Sequence, residues 1–159
     1  MYSRNLKKNM AYDEKFMKKA IALAKKAELL DEVPVGAVIV KDGKVISSAF
    51  NKRESSGDAT AHAEILAIQK ACKKIKDFRL LDCEMYVSLE PCVMCTGAIL
   101  NARIKTVYFG AKITNGSISA EELSKLAELN HKTEFLGGYL EEECSSIVSN
   151  YFRQKRTKK

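Results

Sequence analysis

The stretch that decides the fold reads Val35-Gly-Ala-Val-Ile-Val-Lys-Asp-Gly-Lys-Val-Ile-Ser-Ser-Ala-Phe50. Two apolar runs flank Asp42-Gly43, a pair that favours the type I′ turn of a β-hairpin. An amphipathic helix pattern precedes the hairpin at 13–30. Strand patterns then alternate with helix patterns, in the order helix 61–76 with Thr60 as its N-cap, strand 85–89, helix 91–101, strand 106–110, a loop with a short helix at 112–130, strand 133–136 and a last helix after Gly138. This order predicts an α/β protein with helices on both faces of a mixed sheet of about five strands.

The length and composition are those of one globular domain. The chain has 159 residues, 46% of them apolar, and we assign 1–159 to one domain, with a flexible basic arm at 1–9 and a basic tail at 153–159. No apolar run reaches the roughly 20 residues of a membrane-spanning helix, and no secretory signal is evident. Five cysteines, an odd number, favour a reducing compartment. We therefore expect a cytoplasmic protein with no membrane partner.

Three side chains at motif spacing predict a metal site. Cys92 and Cys95 follow Pro91 as Cys-x-x-Cys, and His62 opens a His-x-Glu motif. Two thiolates and one imidazole suit Zn²⁺; a structural zinc site closes with four protein ligands, whereas a catalytic one keeps a position for water. Cys72 lies about 15 Å from His62 along the same predicted helix and cannot complete the set. We predict three protein ligands and an open position.

Glu64 is the predicted proton-transfer group. The order His-x-Glu, then Pro-Cys-x-x-Cys, is the pattern of zinc deaminases that act on nucleobases. Replacing a ring amine by oxygen needs a group that takes a proton from water and delivers it to the ring nitrogen and the leaving ammonia. His62 and Glu64 lie about 200° apart on a regular helix, so both can face one site only if it lies off the helix N-terminus. Two helix N-termini at the site would also favour an anion.

The basic balance points to a polyanionic partner. The net charge is +7, and the C-terminus carries Arg153, Lys155 and Arg156 beside Tyr151 and Phe152. We predict that these five residues bind RNA: the basic side chains would contact phosphates, and an aromatic ring would stack on an unstacked base. A solvated tail without a partner is the alternative, and it stays open from the sequence alone.

Over most of its length, the sequence resembles the bacterial tRNA-specific adenosine deaminases. The motifs that carry this resemblance are Pro34-Val-Gly-Ala-Val-Ile-Val, Asn51, Asp58-Ala-Thr-Ala-His-Ala-Glu64, Tyr86-Val-Ser-Leu-Glu-Pro-Cys-Val-Met-Cys-Thr-Gly-Ala-Ile99, Asn101-Ala-Arg-Ile104, Val107-Tyr-Phe-Gly-Ala111, Asn130-His131 and Tyr151-Phe-Arg-Gln-Lys-Arg156. The segment 111–120 departs from the family pattern and looks shortened, and Ala59 stands where a proline is frequent.

The resemblance implies a three-layer α/β/α cytidine deaminase-like fold and conversion of adenosine to inosine at the wobble position of a tRNA anticodon. It implies one Zn²⁺ per subunit on His62, Cys92 and Cys95, with Glu64 as the catalytic residue. The partners it implies are a tRNA anticodon stem-loop and a second copy of the chain, in a homodimer. The substrate-binding residues that we infer are Asn51, Val35, Ala63 and Pro91.

Other functions fit parts of the pattern. The nearest is a free nucleobase or nucleoside deaminase for cytosine or guanine on the same fold, because the zinc motif does not distinguish these substrates. A non-catalytic RNA-binding module with structural zinc and a thiol redox protein are further alternatives. The basic C-terminus favours RNA over a free base.

Overall fold

The computed structural model describes residues 11–114, 116–127, 129 and 131–157. The predicted flexible arm at 1–9 and the last two residues of the basic tail lie outside the described residues. In chain order the elements are α1 (Glu14–Leu29), β1 (Gly36–Lys41), β2 (Lys44–Phe50), α2 (Arg53–Ser56), α3 (Ala63–Ile75), β3 (Cys83–Leu89), α4 (Val93–Ala102), β4 (Thr106–Ala111), α5 (Ala120–Leu126), β5 (Glu134–Leu136) and α6 (Glu141–Thr157).

The five strands form one mixed sheet in the order β2-β1-β3-β4-β5. Strand β1 is antiparallel to β2 and β3, while β3, β4 and β5 run parallel. The hairpin turn is type I′ as predicted, since Asp42 and Gly43 have φ of 51° and 74°. The predicted α/β class and mixed sheet are confirmed.

Helices cover both faces of the sheet because its strand residues alternate. One face of the sheet packs on α1 and α6, and the other packs on α3, α4 and α5. The first face contributes Val38, Val40, Tyr86 and Tyr108. The second contributes Ala37, Ile39, Met85, Val87, Val107 and Phe109. The result is the predicted three-layer α/β/α arrangement, with a core on each side of the sheet.

Glycine allows the closest approach of helix and sheet. A Cβ on Gly110 of β4 would collide with the Cys144 side chain of α6, and one on Gly36 of β1 would collide with the backbone of α1 at Ala20. The packing of both helices on this face therefore requires glycine at these two strand positions.

One end of the sheet gathers the segments that carry the motifs. Strands β3 and β4 end there, at Leu89 and Ala111, and the antiparallel β1 begins there. The Gly36 amide donates to Ser88 Oγ at 3.1 Å, which ties the start of β1 to the end of β3. Helices α3 and α4 both begin at this end, so their N-termini meet.

Three local predictions need correction. Thr60 is not the N-cap of α3, because its amide and hydroxyl both donate to Asp58 Oδ1 and His62 takes the N-cap position. Pro91 is not in the first turn of α4, whose N-cap is Cys92. The segment 51–60 is not all loop, since it contains α2. Within the described ranges, the longest helices are too short or too polar to cross a membrane.

Candidate active site

The three predicted metal ligands meet in one cluster. His62 Nδ1 lies 3.6 Å from Cys92 Sγ and 3.4 Å from Cys95 Sγ. His62 and Cys92 are the N-caps of α3 and α4, with extended backbone at both, and Cys95 lies in the first turn of α4. Of the residues that the structure describes, no further histidine, cysteine or acidic side chain joins this group.

The spacing of the donor atoms fits zinc. A tetrahedral ion with Zn–S of about 2.3 Å and Zn–N of about 2.05 Å separates a nitrogen and a sulfur ligand by about 3.6 Å. The two nitrogen–sulfur distances in the cluster agree with this value. One imidazole and two thiolates are also ligands that zinc prefers. Zinc is therefore the cofactor of this chain.

The cluster also favours the thiolate that zinc binds. A hydrogen bond from the Cys95 thiol lowers the pKa of Cys92 to about 4, and a hydrogen bond from His62 contributes to the same shift. The hydrogen bond with the Cys92 sulfur, together with burial, raises the pKa of Cys95. Binding of zinc requires both sulfurs as thiolates, so it releases protons.

Glu64 is a buried carboxyl beside the cluster. It lies in the first turn of α3, two residues after His62, and is 4% exposed. Burial raises the pKa of Glu64 to about 7, with the negative charge at Cys92 acting in the same direction. Such a carboxyl exchanges a proton readily at neutral pH, which suits a group that serves as base and then as acid. The predicted orientation off the helix N-terminus is what lets His62 and Glu64 approach one site.

A cavity of about 770 Å³ opens above these residues. The predicted residues that line it are His62, Cys92, Glu64, Asn51, Val35, Ala63, Phe152, Arg153 and Arg156. Pro91 does not line it; its carbonyl accepts from Thr96 Oγ1 at 3.3 Å. The volume exceeds that of a purine and suits a nucleotide with part of its flanking chain.

The C-terminal residues divide between two faces of α6. Phe152, Arg153 and Arg156 face the cavity. Tyr151 is buried and its hydroxyl donates to the Asp31 carbonyl at 3.2 Å, while Lys155 Nζ lies 2.8 Å from Asp31 Oδ2. Tyr151 and Lys155 therefore attach α6 to the loop before β1. Phe152 and Arg156 line the cavity, and Arg153 lines both the cavity and a groove beside α1, where its Nη1 donates to Asn150 Oδ1 at 3.2 Å.

Asn51 is oriented by two backbone groups. Its Nδ2 donates to the Val33 carbonyl at 3.3 Å and its Oδ1 accepts from the Arg53 amide at 3.3 Å. One N–H and one lone pair of the amide are left over, which is the donor and acceptor pair that a purine edge can use.

Sequence reasoning missed two basic residues and a buried glutamate at this site. Arg53 and Lys112 line the cavity together with Arg153 and Arg156, so its wall carries four basic residues against the two acidic residues Glu64 and Glu90. Glu90 is buried, and its carboxylate accepts from the Ile113 amide at 3.0 Å and the Ala120 amide at 2.9 Å. It thereby holds the backbone at Ile113 and at Ala120, the first residue of α5, beside the end of β3. Its position directly before Pro91-Cys92 was the available signal.

Comparison with known proteins agrees with this geometry. A family model described as the cytidine and deoxycytidylate deaminase zinc-binding region matches residues 10–111. The tRNA-specific adenosine deaminase of Bacillus subtilis is 46% identical over 152 residues, which are 94% of this chain and 94% of that protein.

Solved structures also match. One, from a study of A-to-I editing by tRNA:A34 deaminases at the wobble position of transfer RNA, is 39% identical with a TM-score of 0.81, over 85% of this chain and 99% of that one. A guanine deaminase from Bacillus subtilis is 37% identical with a TM-score of 0.63, over 87% of this chain and 93% of that one. With its zinc ligands, buried glutamate and fold in place, the chain belongs to the cytidine and deoxycytidylate deaminase family of zinc enzymes and, within it, to the tRNA-specific adenosine deaminases.

Proposed function

We propose that this protein converts adenosine to inosine at the wobble position of a tRNA anticodon, with one zinc ion per subunit. The observation that carries the proposal is the buried Glu64 beside a three-ligand metal cluster, at the floor of a cavity with four basic residues in its wall. The reaction exchanges the amine on C6 of adenine for oxygen: water is consumed, the C6–N bond breaks and ammonia leaves.

When bound, zinc supplies the chemistry of lowering the pKa of water toward neutrality. The protein's own residues handle the protons. The Glu64 carboxylate accepts a proton from water and, as the carboxylic acid, delivers it to N1 of the adenine ring. Glu64 then takes the second proton of that water, from the oxygen now bonded to C6, and passes it to the amine, which leaves as ammonia as the C6–N bond breaks. Burial, which raises the pKa of Glu64, favours its protonated form and so suits a group that must hold a proton and then return it.

The other residues at the site hold the base and exclude water. We assign the free N–H and lone pair of Asn51 to the polar edge of the purine, and Val35 and Ala63 to its apolar contacts. Phe152 offers a face on which a neighbouring base can stack. Arg153 and Arg156 supply phosphate contacts, which add affinity without reading the sequence.

The identity of the substrate is tested by comparing the turnover of RNA with that of free nucleobases and a nucleoside. The holoenzyme is incubated separately with an anticodon stem-loop that carries adenosine at the wobble position, and with free adenosine, guanine and cytosine. Chromatography with mass spectrometry measures the products. We expect turnover of the stem-loop only. Turnover of guanine or cytosine, without the stem-loop, would overturn the proposal in favour of a free-base deaminase.

We propose that the protein is a homodimer that acts in the cytoplasm, where tRNA is its partner. Helix α4 carries no charged residue, and Val93 on its surface is 50% exposed. Gly97, one turn further along, has open space where a Cβ would stand. An uncharged helix face with small and apolar residues fits a second copy of the same helix.

A further inference from the structure

Three consecutive backbone N–H groups follow Asn51, and side chains accept hydrogen bonds from all of them. They belong to Arg53, Glu54 and Ser55, the first turn of α2, where a helix has no carbonyl partners of its own. The Arg53 amide donates to Asn51 Oδ1. The other two donate to Glu32, at 2.9 Å for Glu54 to Oε1 and 2.6 Å for Ser55 to Oε2. Lys52, the N-cap residue, makes no side-chain cap. Glu32 therefore caps a helix that begins 21 positions later in the chain.

Glu32 is a buried carboxylate whose two oxygens accept the hydrogen bonds from the Glu54 and Ser55 amides. Its side chain is 0% exposed. In the described part of the chain, no lysine, arginine or histidine forms an ion pair with it. A buried carboxylate is costly unless hydrogen bonds replace its hydration. Burial alone would raise the pKa of Glu32, yet the hydrogen bonds from Ser55 and Glu54 lower it below its ordinary value of 4.5. An apolar residue would fill the same volume without that cost, which points to a specific role for the two acceptors.

The role that the geometry indicates is the placement of Asn51. The amide of Asn51 is held on one side by the Arg53 N–H, which Glu32 fixes through the next two residues of the turn. It is held on the other side by the carbonyl of Val33, the residue after Glu32. The loop 32–33 thus fixes both ends of the amide, and the unused donor and acceptor of Asn51 take a single orientation toward the cavity.

We infer that Glu32 is a positioning residue of the reaction: it does not touch the substrate, but it sets the orientation in which Asn51 meets the base. The inference rests on the proposed function for the identity of that base. Loss of the two acceptors would free the first turn of α2 and allow the Asn51 amide to rotate. The chemical step would then slow, while phosphate contacts at Arg153 and Arg156 would still bind RNA.

The test compares four variants as zinc-loaded proteins: Glu32→Gln, Asn51→Ala, the double variant, and Glu84→Gln as the control. Glu84 is also a buried carboxylate, 8% exposed, but it lies near the opposite end of β3 from the cavity. In Glu32→Gln one acceptor is replaced by an NH₂ group that faces a backbone N–H. We expect kcat on the stem-loop to fall by about tenfold to a hundredfold, with the dissociation constant of the RNA nearly unchanged. Glu84→Gln should keep the kcat of the wild type.

Two further readouts separate positioning from a general loss of structure. Because Glu32 acts through Asn51, the double variant should be no slower than Asn51→Ala alone. Amide hydrogen exchange of Glu54 and Ser55 should accelerate in Glu32→Gln, while exchange in the sheet stays slow. Multiplicative effects in the double variant, an unchanged kcat, or unchanged exchange at these two amides would each overturn the inference.

If the wild type deaminates a free base and no RNA, the proposed function fails. The same four variants assayed on that base, and the exchange measurement, still decide the role of Glu32.

Discussion

His62 and Cys92 occupy equivalent positions in two helices. Each is an N-cap residue with extended backbone, and the His62 Nδ1 and Cys92 Sγ atoms lie 3.6 Å apart. Two helix N-termini thus converge on one metal site, each with a partial positive charge of about half a unit. This arrangement explains how ligands 30 positions apart in the chain form one site, and why a buried glutamate fits beside them.

Removal of one zinc ligand should remove the metal. We expect Cys92→Ser to weaken zinc binding by more than the roughly tenfold to hundredfold that loss of an outer-shell partner causes. Cys72→Ser is the matched control, because the Cys72 thiol lies outside the cluster and donates to the Phe78 carbonyl. Atomic emission measures zinc per chain, and a chelator should lower the Tm of the wild type, since the ion binds the folded state. Equal zinc content in the two variants would contradict the assignment.

Two of the buried glutamates, Glu32 and Glu84, should affect stability with opposite dependence on pH. The pKa of Glu32 is lowered in the folded state, so its stabilisation is complete above 4.5 and is lost as the pH falls through the lower folded value. At pH 7 the free energy of unfolding, measured in urea, should be about 2 kcal/mol higher for the wild type than for Glu32→Gln. That difference should shrink below pH 4.5.

Burial raises the pKa of Glu84, so the folded state prefers its protonated form. Relative to Glu84→Gln, the wild type should therefore gain stability as the pH falls from the raised value toward 4.5. Loss of zinc in acid affects wild type and variants alike and cancels in each difference. If the free energy of unfolding of both variants followed that of the wild type in parallel across this pH range, neither carboxyl would have the pKa shift described.

The salt dependence of RNA binding should distinguish the two faces of α6. Arg153→Gln and Arg156→Gln should each reduce the slope of log K against log salt by about 0.7, the value for one phosphate contact on a single strand. Lys155→Gln should leave the slope unchanged, because Lys155 pairs with Asp31. Fluorescence anisotropy with a labelled stem-loop measures the slopes. A reduced slope in Lys155→Gln alone would reverse the assignment.

A charge on α4 should separate the proposed dimer. Val93→Glu would bury an unpaired carboxylate in the interface, at a cost of about 3 kcal/mol, and weaken association roughly a hundredfold. Leu29→Glu, at a residue of α1 that is 86% exposed, is the control. Light scattering coupled to gel filtration measures the mass. A wild type that is monomeric, or a Val93→Glu protein that stays dimeric, would contradict the interface.

The sequence predicts the features that depend on neighbours in the chain. Asp42-Gly43 predicts its turn because both residues accept positive φ. His62, Cys92 and Cys95 are recognisable because each metal motif is local. In the last helix, apolar residues recur at helical spacing at Cys144, Ile147, Val148 and Tyr151, and the burial of Tyr151 follows from this spacing. Thr60 is a misleading signal, since a hydroxyl before a helix is a good cap only when nothing nearer binds it, and here Asp58 does.

The features that escaped prediction depend on distant contacts. Glu32 binds amides 22 and 23 positions away, and Glu90 binds amides 23 and 30 positions away. Neither contact has a period or motif in the sequence. The split of the C-terminal side chains between Asp31 and the cavity depends on the rotation of α6 about its axis. That rotation is set by packing of Cys144 and Ile147 on the sheet.

The most direct test of the account measures zinc content and inosine formation in the same preparations of wild type and Glu64→Gln. Glu134→Gln, a change at an exposed residue of β5, serves as the control. Loss of a general acid–base group should slow the conversion of the wobble adenosine by about a hundredfold to ten-thousandfold, with zinc retained in full. The control should match the wild type in both quantities. Full conversion by zinc-loaded Glu64→Gln at the rate of the wild type would contradict the account.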